Sequence, residues 1–475
     1  MFQRIYQKSD VLNNFDVYPI VIPAGKETQI HLRSLGGRVV FQPDTEYQMT
    51  VCALDGGDPD DFPASGDFRD LTARTDAEGA FCFPWTFDSE QEYFIRVFDP
   101  ANRGKMLAQV SVYCVEGELK KRYPFIGDLH MHTTGSDGNQ APAVVCANYR
   151  KYGYDFTVIS DHRRYYPSLQ AIEAYRDVPI ELNIVPGEEV HLPRVHGQVN
   201  DAHIVNFGGE YSINALVEDV AVRTDGRDLK VRAIRENDVP DIMTIEEFEE
   251  KMTALAAEIQ VPEKVDALPA AMCKWAFDEI RKAGGLAIFP HPNWRPNVYH
   301  VPEVFVDYLM DNRLFDAFEV LGGENYYEHN GFQTARYYDQ CAKGNRMPIV
   351  GSTDSHSSNL ETNRNGYICS TIIFSPENER KALIRSVKDY YSVAVDTISA
   401  EFRLVGEMRL VRYACFLLKN YYPLHDELCY EEGRAMKQYV TGAPDEREEA
   451  AKTLAAISGR VKRHREKYFA IETES

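Results

Sequence analysis

The sequence predicts a multidomain chain: a central α/β domain of barrel type, preceded by a small all-β sandwich and followed by a helical C-terminal region. Three observations predict it. From residue 123 to 396, apolar runs of strand length alternate with helical stretches. Before residue 123, short alternating runs are punctuated by Gly, Pro and Asp. After 396, apolar residues recur at helical spacing among charges. A length of 475 residues exceeds one ordinary domain, which agrees with such a division.

In 1–122, Gln29–Arg33, Arg38–Gln42, Tyr47–Leu54, Phe81–Phe83, Tyr93–Phe98 and Val110–Val115 read as strands. Gly36-Gly37, Gly56-Gly57-Asp58-Pro59 and Asp99-Pro100 supply the turns between them, the pattern of an accessory β-sandwich. His31 is the one histidine there, so catalysis is expected elsewhere. In 123–396, Phe125–Leu129, Phe156–Ile159, Leu182–Val185, His203–Phe207, Leu286–Phe289, Ala317–Leu321, Pro348–Val350 and Ile368–Phe374 read as buried strands. Helices are expected at Pro142–Tyr152, Thr244–Ile259, Pro269–Ala283, Val301–Asn312, Phe332–Ala342 and Pro376–Val387. The polar stretch 209–268 reads as an insertion with its own helix, a lid or a plain excursion. In 397–475, Leu410–Lys419, Arg434–Tyr439 and Arg447–Lys467 read as helices of a docked extension.

Composition narrows the functional classes. With 44% hydrophobic and 26% charged residues the chain is globular. No apolar run approaches 18 residues, so no membrane partner is expected. The first residues lack the apolar core of a secretory signal. Nine scattered cysteines, never as CxxC, read as reduced thiols of a cytoplasmic protein and not as a cysteine zinc site. A net charge of −21 disfavours long duplex nucleic acid and leaves small ligands open. Nothing in the sequence sets the oligomeric state.

The chemistry gathers at strand ends, where α/β barrels build their sites. The first strand runs into Gly-Asp-Leu-His130-Met-His132-Thr-Thr-Gly-Ser-Asp137-Gly. The second ends in Ser-Asp-His162, and the third in Pro-Gly-Glu188-Glu189. His203 opens the next, His291 follows in Pro-His-Pro-Asn, and Asp354 and His356 close the series in Ser-Thr-Asp-Ser-His. Residues i and i+2 on a strand share a face, so His130 with His132, and Asp354 with His356, can approach one metal. One such histidine is commonplace. Six strand ends carrying His, Asp or Glu point to a metal centre.

This ordered set resembles the PHP family (polymerase and histidinol phosphatase), over about residues 123–395. The resemblance implies a distorted (β/α)7 barrel, a metal-dependent phosphoesterase, and nine metal ligands: His130, His132, Asp137, His162, Glu189, His203, His291, Asp354 and His356. It implies two to three divalent ions (Zn, Mn or Fe). His130, His132, Glu189 and Asp354 would surround one, Glu189 would bridge to a second held by His203 and His291, and Asp137, His162 and His356 would hold a third. Such ions make a shared water acidic enough to yield hydroxide near neutral pH. Glu189, Asp354 and His356 carry the catalytic expectation. Arg163, Arg164, Arg295 and Arg364, close to the ligand motifs, suit a phosphate. Glu319 is expected to support a ligand histidine, Trp294 to pack in the core, and His191 and His196 to be surface residues.

The expected substrate is a small phosphate ester or a short oligonucleotide. The β-rich first region and the Gly-Asp-Leu-His-x-His-Thr motif also look like the carbaryl-hydrolase-like branch, which implies an alternative in carbamate or ester hydrolysis. A non-catalytic, metal-stabilised scaffold is the third reading.

Overall fold

The computed structural model describes residues 11–57, 66–200, 202–218, 242–323, 327–358, 369–396 and 403–470. The chain divides into two compact units. The first takes residues up to Tyr123 with Met408–Leu428 and the stretch from Gly459; the second takes Pro124–Glu407 and Cys429–Ser458. The C-terminal region is thus apportioned between both. Among the described residues, no helix is long and apolar enough to cross a membrane.

The first unit contains two sheets. β1 (Phe15–Tyr18), β3 (Glu27–Ser34) and β6 (Phe81–Thr86) form one, in the order β1-β3-β6. β2 (Val21–Pro23), β4 (Glu46–Gly57), β5 (Gly66–Arg74), β7 (Glu92–Asp99) and β8 (Asn102–Val115) form the other, ordered β2-β8-β7-β4-β5. Alternation drives the packing: Tyr93, Ile95 and Val97 of β7 are buried while their neighbours are not. Phe41, Tyr47 and Phe81 meet edge to face at 4.9–5.7 Å. Arg38–Gln42 is not a strand; Val40 is exposed and this segment is a loop. β1, β2 and β5 carry no clear hydrophobic signal, being short or exposed at an edge.

The strands of the second unit lie in two mixed sheets and not, among the described residues, in one closed ladder. β9 (Tyr123–Asp128), β10 (Phe156–Val158), β11 (Asn183–Val185), β17 (Cys369–Ser375), β18 (Ser392–Asp396) and β19 (Arg403–Val405) are ordered β11-β10-β9-β17-β18-β19. β12 (Gly187–Val190), β13 (Ile204–Phe207), β14 (Leu286–Phe289), β15 (Ala317–Leu321) and β16 (Ile349–Gly351) follow one another in the second. β9–β10–β11 and β14–β15–β16 pair in parallel, as β-α repeats require. β12–β13–β14 and β17–β18–β19 pair antiparallel, which the repeat pattern did not anticipate. Two isolated parallel bridges, Met131 to Ser355 and His162 to Glu189, join strand-end segments.

The described residues of 209–268 pack into this unit's core. Their helix Ile245–Glu258 starts at Thr244 with a capping box closed by Glu247. Phe248 and Met252 are fully buried from this helix, and Phe248 meets Trp275 edge to face at 5.1 Å. Residues 219–241 lie outside the described residues. The helix expected over Arg447–Lys467 is two, Pro444–Ile457 and Arg460–Tyr468, because Gly459 turns left-handed at φ 73°.

Candidate metal centre

Buried carboxylates that are not themselves among the nine expected ligands hold the donor segments in place. Asp128, at the end of β9, accepts hydrogen bonds from the His130 amide at 3.1 Å and from the amide and hydroxyl of Thr353 at 3.1 and 2.5 Å. One carboxylate therefore ties the His130 segment to the Asp354 segment. The Asp354 amide donates to the His130 carbonyl and the His132 amide to the Ser355 carbonyl, closing the seam. Asp161, three residues beyond the end of β10, anchors a second segment. It accepts from the Thr133 amide and hydroxyl and from the Ser136 hydroxyl at 2.5–2.7 Å, fixing the loop that presents Asp137. Arg163, His291 and Asp354 all have positive φ (59°, 25° and 47°), strained backbone for residues with a Cβ.

Four donors converge at the centre. His130 Nε2 and His132 Nε2 are 3.3 Å apart, and each is 3.4 Å from Glu189 Oε2. Asp354 Oδ1 is 3.3 Å from the first and 3.0 Å from the second. Both carboxylates thus stand within 3.0–3.4 Å of the same two histidine nitrogens, the spacing at which imidazole and carboxylate donors can share an ion. The orientation of His130 is set from behind, where its Nδ1 meets Glu319 Oε2 at 3.1 Å. With the proton on Nδ1, the Nε2 lone pair faces the other donors.

Two further groups flank this one. His203 Nδ1 and His291 Nε2 lie 2.6 and 3.6 Å from the other oxygen of Glu189, Oε1. Towards the surface, His162 Nε2 and His356 Nε2 lie 3.5 and 3.4 Å from Asp137 Oδ2. His356 Nδ1 faces the carbonyl of Asp354, two residues earlier, at 3.0 Å, which leaves Nε2 for Asp137. His132, Asp137, His162 and His356 together form a group able to hold a metal ion, as do His130, His291 and Asp354. All nine expected positions thus fall in one connected cluster.

Burial and charge make the cluster a fit for cations. Among the described residues, both oxygens of Glu189, His132 Nδ1 and His203 Nδ1 are buried without a hydrogen-bond partner, although 2.6 Å separates His203 Nδ1 from Glu189 Oε1. Such orphaned polar atoms are costly unless something else binds them. Burial favours the neutral acid in Glu189, yet His203, His162 and His130 hold its carboxyl well below the usual range. Asp354 is held low against burial chiefly by His130. Burial opposes protonation of His130, but Asp354 and Glu189 keep it well above its ordinary value. His162 is pushed up to about 10 by Glu189 and Asp137 against the same opposition, whereas burial drives His132 down to about 4. The protons that these ionised carboxylates hold on His130 and His162 are what divalent ions displace when they bind.

The neighbours of the cluster sort differently from expectation in two places. Trp294 is half-buried at its rim, its ring 5.8 Å from His203 and 5.3 Å from His300. His191 stands inside the cluster and not on the surface, with Nε2 2.9 Å from His162 Nδ1. His196 is exposed and bonded to Thr253. Glu188 turns away from Glu189 to Ser212 and Asn214, at 2.7 and 2.8 Å. Arg163 and Arg164 are half-buried on the turn after His162, and Arg295 is exposed in the loop after His291. Arg364 lies outside the described residues.

No protein-family model matches the chain, and no curated protein matches it. Solved structures do. A two-domain protein from Bacteroides vulgatus, described as containing a predicted PHP-like metal-dependent phosphoesterase, is 16% identical at a TM-score of 0.38, over 62% of this chain and 69% of that one. A Bifidobacterium adolescentis protein, provisionally named a metal-dependent phosphoesterase, is 17% identical at 0.31, over 48% and 87%. An amidohydrolase from Chromobacterium violaceum with bound sulfate and no metal is 17% identical at 0.28, over 49% and 87%. The description of the first of these names the family that the motifs resemble.

Proposed function

We propose that the protein is a metal-dependent hydrolase of PHP type, a phosphoesterase acting on a small phosphorylated substrate. One observation carries the reading: His130 and His132 Nε2 face both Glu189 Oε2 and Asp354 Oδ1, and Glu189 reaches with its second oxygen into a neighbouring donor group. His130, His132, Glu189 and Asp354 would hold one ion, Glu189 with His203 and His291 a second, and Asp137, His162 and His356 a third. Two to three Zn²⁺, Mn²⁺ or Fe²⁺ ions would supply Lewis acidity and a water acidic enough to ionise near neutral pH. The protein's own contribution is positioning. Glu319 holds His130 in the tautomer that aims Nε2 inward. Asp128 and Asp161 keep the donor segments in register. Asp137 and His356, with side chains 55% and 40% exposed, would face an entering substrate. Arg163 and Arg164, next to His162 in the chain, would be the cations that orient a phosphate. A net charge of −21 supports a short substrate over a long polyanion.

The test compares p-nitrophenyl phosphate, a phosphodiester analogue, a short oligonucleotide, aryl carbamates and aryl acetates on enzyme loaded with Zn²⁺ or Mn²⁺. The expected result is highest turnover on a phosphate substrate, with competitive inhibition by inorganic phosphate. Carbamate or acetate turnover above every phosphate substrate, without phosphate inhibition, would move the protein to the carbamate and ester hydrolases.

A further inference from the structure

Glu189 and His191 are an i, i+2 pair at the end of β12, the same spacing as His130 with His132 and Asp354 with His356. Residues so spaced on extended chain point to one face. His191 Nε2 lies 3.7 Å from Glu189 Oε1, the oxygen that His203 Nδ1 and His291 Nε2 approach at 2.6 and 3.6 Å. Three imidazole nitrogens therefore converge on one buried carboxylate oxygen that accepts no hydrogen bond among the described residues. The His191 ring packs edge-on against His203 at 4.4 Å. Its backbone is anchored: the His191 amide donates to Asn214 Oδ1 at 3.1 Å, and Asn214 Nδ2 donates to Glu188 Oε2.

We propose that His191 Nε2 is the fourth protein donor to the ion held by Glu189 Oε1, His203 and His291, making that site three imidazoles and one carboxylate. The proposal rests on the reading of this cluster as a multinuclear metal centre, and adds a donor outside the nine. Without His191 the second ion has three protein donors; with it the set is the four-coordinate complement that imidazole and carboxylate ligands give zinc-like ions. A competing use of the same atom is visible. His162 Nδ1 is 2.9 Å from His191 Nε2, so His191 could instead accept a proton from His162 and merely orient it. One lone pair cannot serve both at once.

The full-length protein and its His191→Ala, His191→Asn and His191→Cys variants would be loaded with Zn²⁺, their ions counted by mass spectrometry, and zinc affinity measured by competition with a chelating dye. Cobalt-loaded samples would be compared by absorption. If His191 is a donor, His191→Ala and His191→Asn both lose one ion per chain or bind it about 100-fold more weakly. The His191→Cys protein, loaded with Co²⁺, gains a near-ultraviolet thiolate-to-cobalt band absent from the cobalt-loaded wild type. Circular dichroism and melting check the fold, and the gained band decides the matter even where the alanine variant folds poorly. If His191 only accepts from His162, the asparagine variant keeps an acceptor oxygen and hence the full ion count and affinity, and the cysteine variant shows no new band. Either result overturns the proposal while leaving the metal reading intact. A wild type that takes up no ions overturns both.

Discussion

Glu188 and Glu189 are adjacent, fully buried and differently employed. Glu188 is consumed by Ser212, the Ile213 amide and Asn214, while both oxygens of Glu189 face imidazole nitrogens. Glu189→Gln and Asp354→Asn should each lower turnover by about 10²-fold or more, since even changes to groups behind the ligands cost 10–100-fold. Glu188→Gln should lower the melting temperature and leave the folded enzyme's kcat within several-fold of wild type. Steady-state kinetics with melting curves on the three variants checks this, and an equal loss of kcat at Glu188 would mean that the two carboxylates have exchanged places. The cluster itself was legible because most of its residues stand at strand ends, where apolar runs give way to His, Asp or Glu; Asp137, on a loop beyond β9, was singled out through the motif it closes. His191 escaped because Leu-Pro-Arg-Val-His-Gly, which follows it, reads as a surface loop; the i, i+2 spacing from Glu189 was the available signal. Glu319 was read from its strand end as support for a ligand histidine; that the histidine is His130, 189 residues away, depends on two strands meeting, which no local pattern encodes.

Among the elements, legibility followed burial. The bounds of β14 and β15, buried at every position, were read without error as apolar runs. β5 escaped because its residues are mostly exposed or only half-buried, so neither face is hydrophobic. β1 escaped because four residues are too few to show a period, and what fixes it lies far along the chain. Asp16 of β1 is bonded by Lys467 Nζ at 2.8 Å and by the Tyr468 hydroxyl at 2.8 Å, both from the helix Arg460–Tyr468, and by Arg33 Nε at 3.1 Å. Burial raises the pKa of this carboxyl, but those three partners outweigh it and hold it below 3.8. A carboxyl lowered on folding gives stability that is fully present above its unfolded pKa of about 4. That stability is lost as pH falls through the lower, folded value. Asp16→Asn should therefore destabilise the protein by about 1.5–3 kcal/mol at pH 7. The gap to wild type should close as pH drops below 3.8. Thermal melts of both proteins across pH 2.5–7 check it, and a gap independent of pH would assign the loss to packing and not to charge.

For the molecule as a whole, the two units predict a divided response to metal. All nine expected donors belong to Pro124–Glu407, so ions should stabilise the second unit and leave the first as it was. An ion present at 1,000 times its dissociation constant adds about 4 kcal/mol to the state that binds it. Calorimetry before and after exhaustive chelation should show one transition falling while another stays put, and mass spectrometry of the purified protein should count two to three transition-metal ions per chain. Unchanged thermograms, with full activity at less than one ion per chain, would sink the prediction. The sequence reading captured the α/β character of this unit and the β character of the first. It could not foresee that the C-terminal helices are shared between them, because an amphipathic helix shows that it has a buried face and not which neighbour covers it.

His132 and Asp354, 3.0 Å apart in the folded protein, are separated by 222 residues of chain. At translation speeds of about 5–20 residues per second, roughly 10–45 s pass between the synthesis of one and of the other. During that interval the emerging polypeptide owns the His130–His132 pair and, later, Glu189, but never the full donor set. Early capture of an ion by two neighbouring imidazoles would follow raw affinity and favour copper. The finished cage, with its carboxylates and seam of backbone bonds, exists only once the unit has closed. A metal held by this centre would therefore be decided late, by whatever ions are at hand where the chain completes its folding, and protein from one gene should carry different metals when made in different hosts.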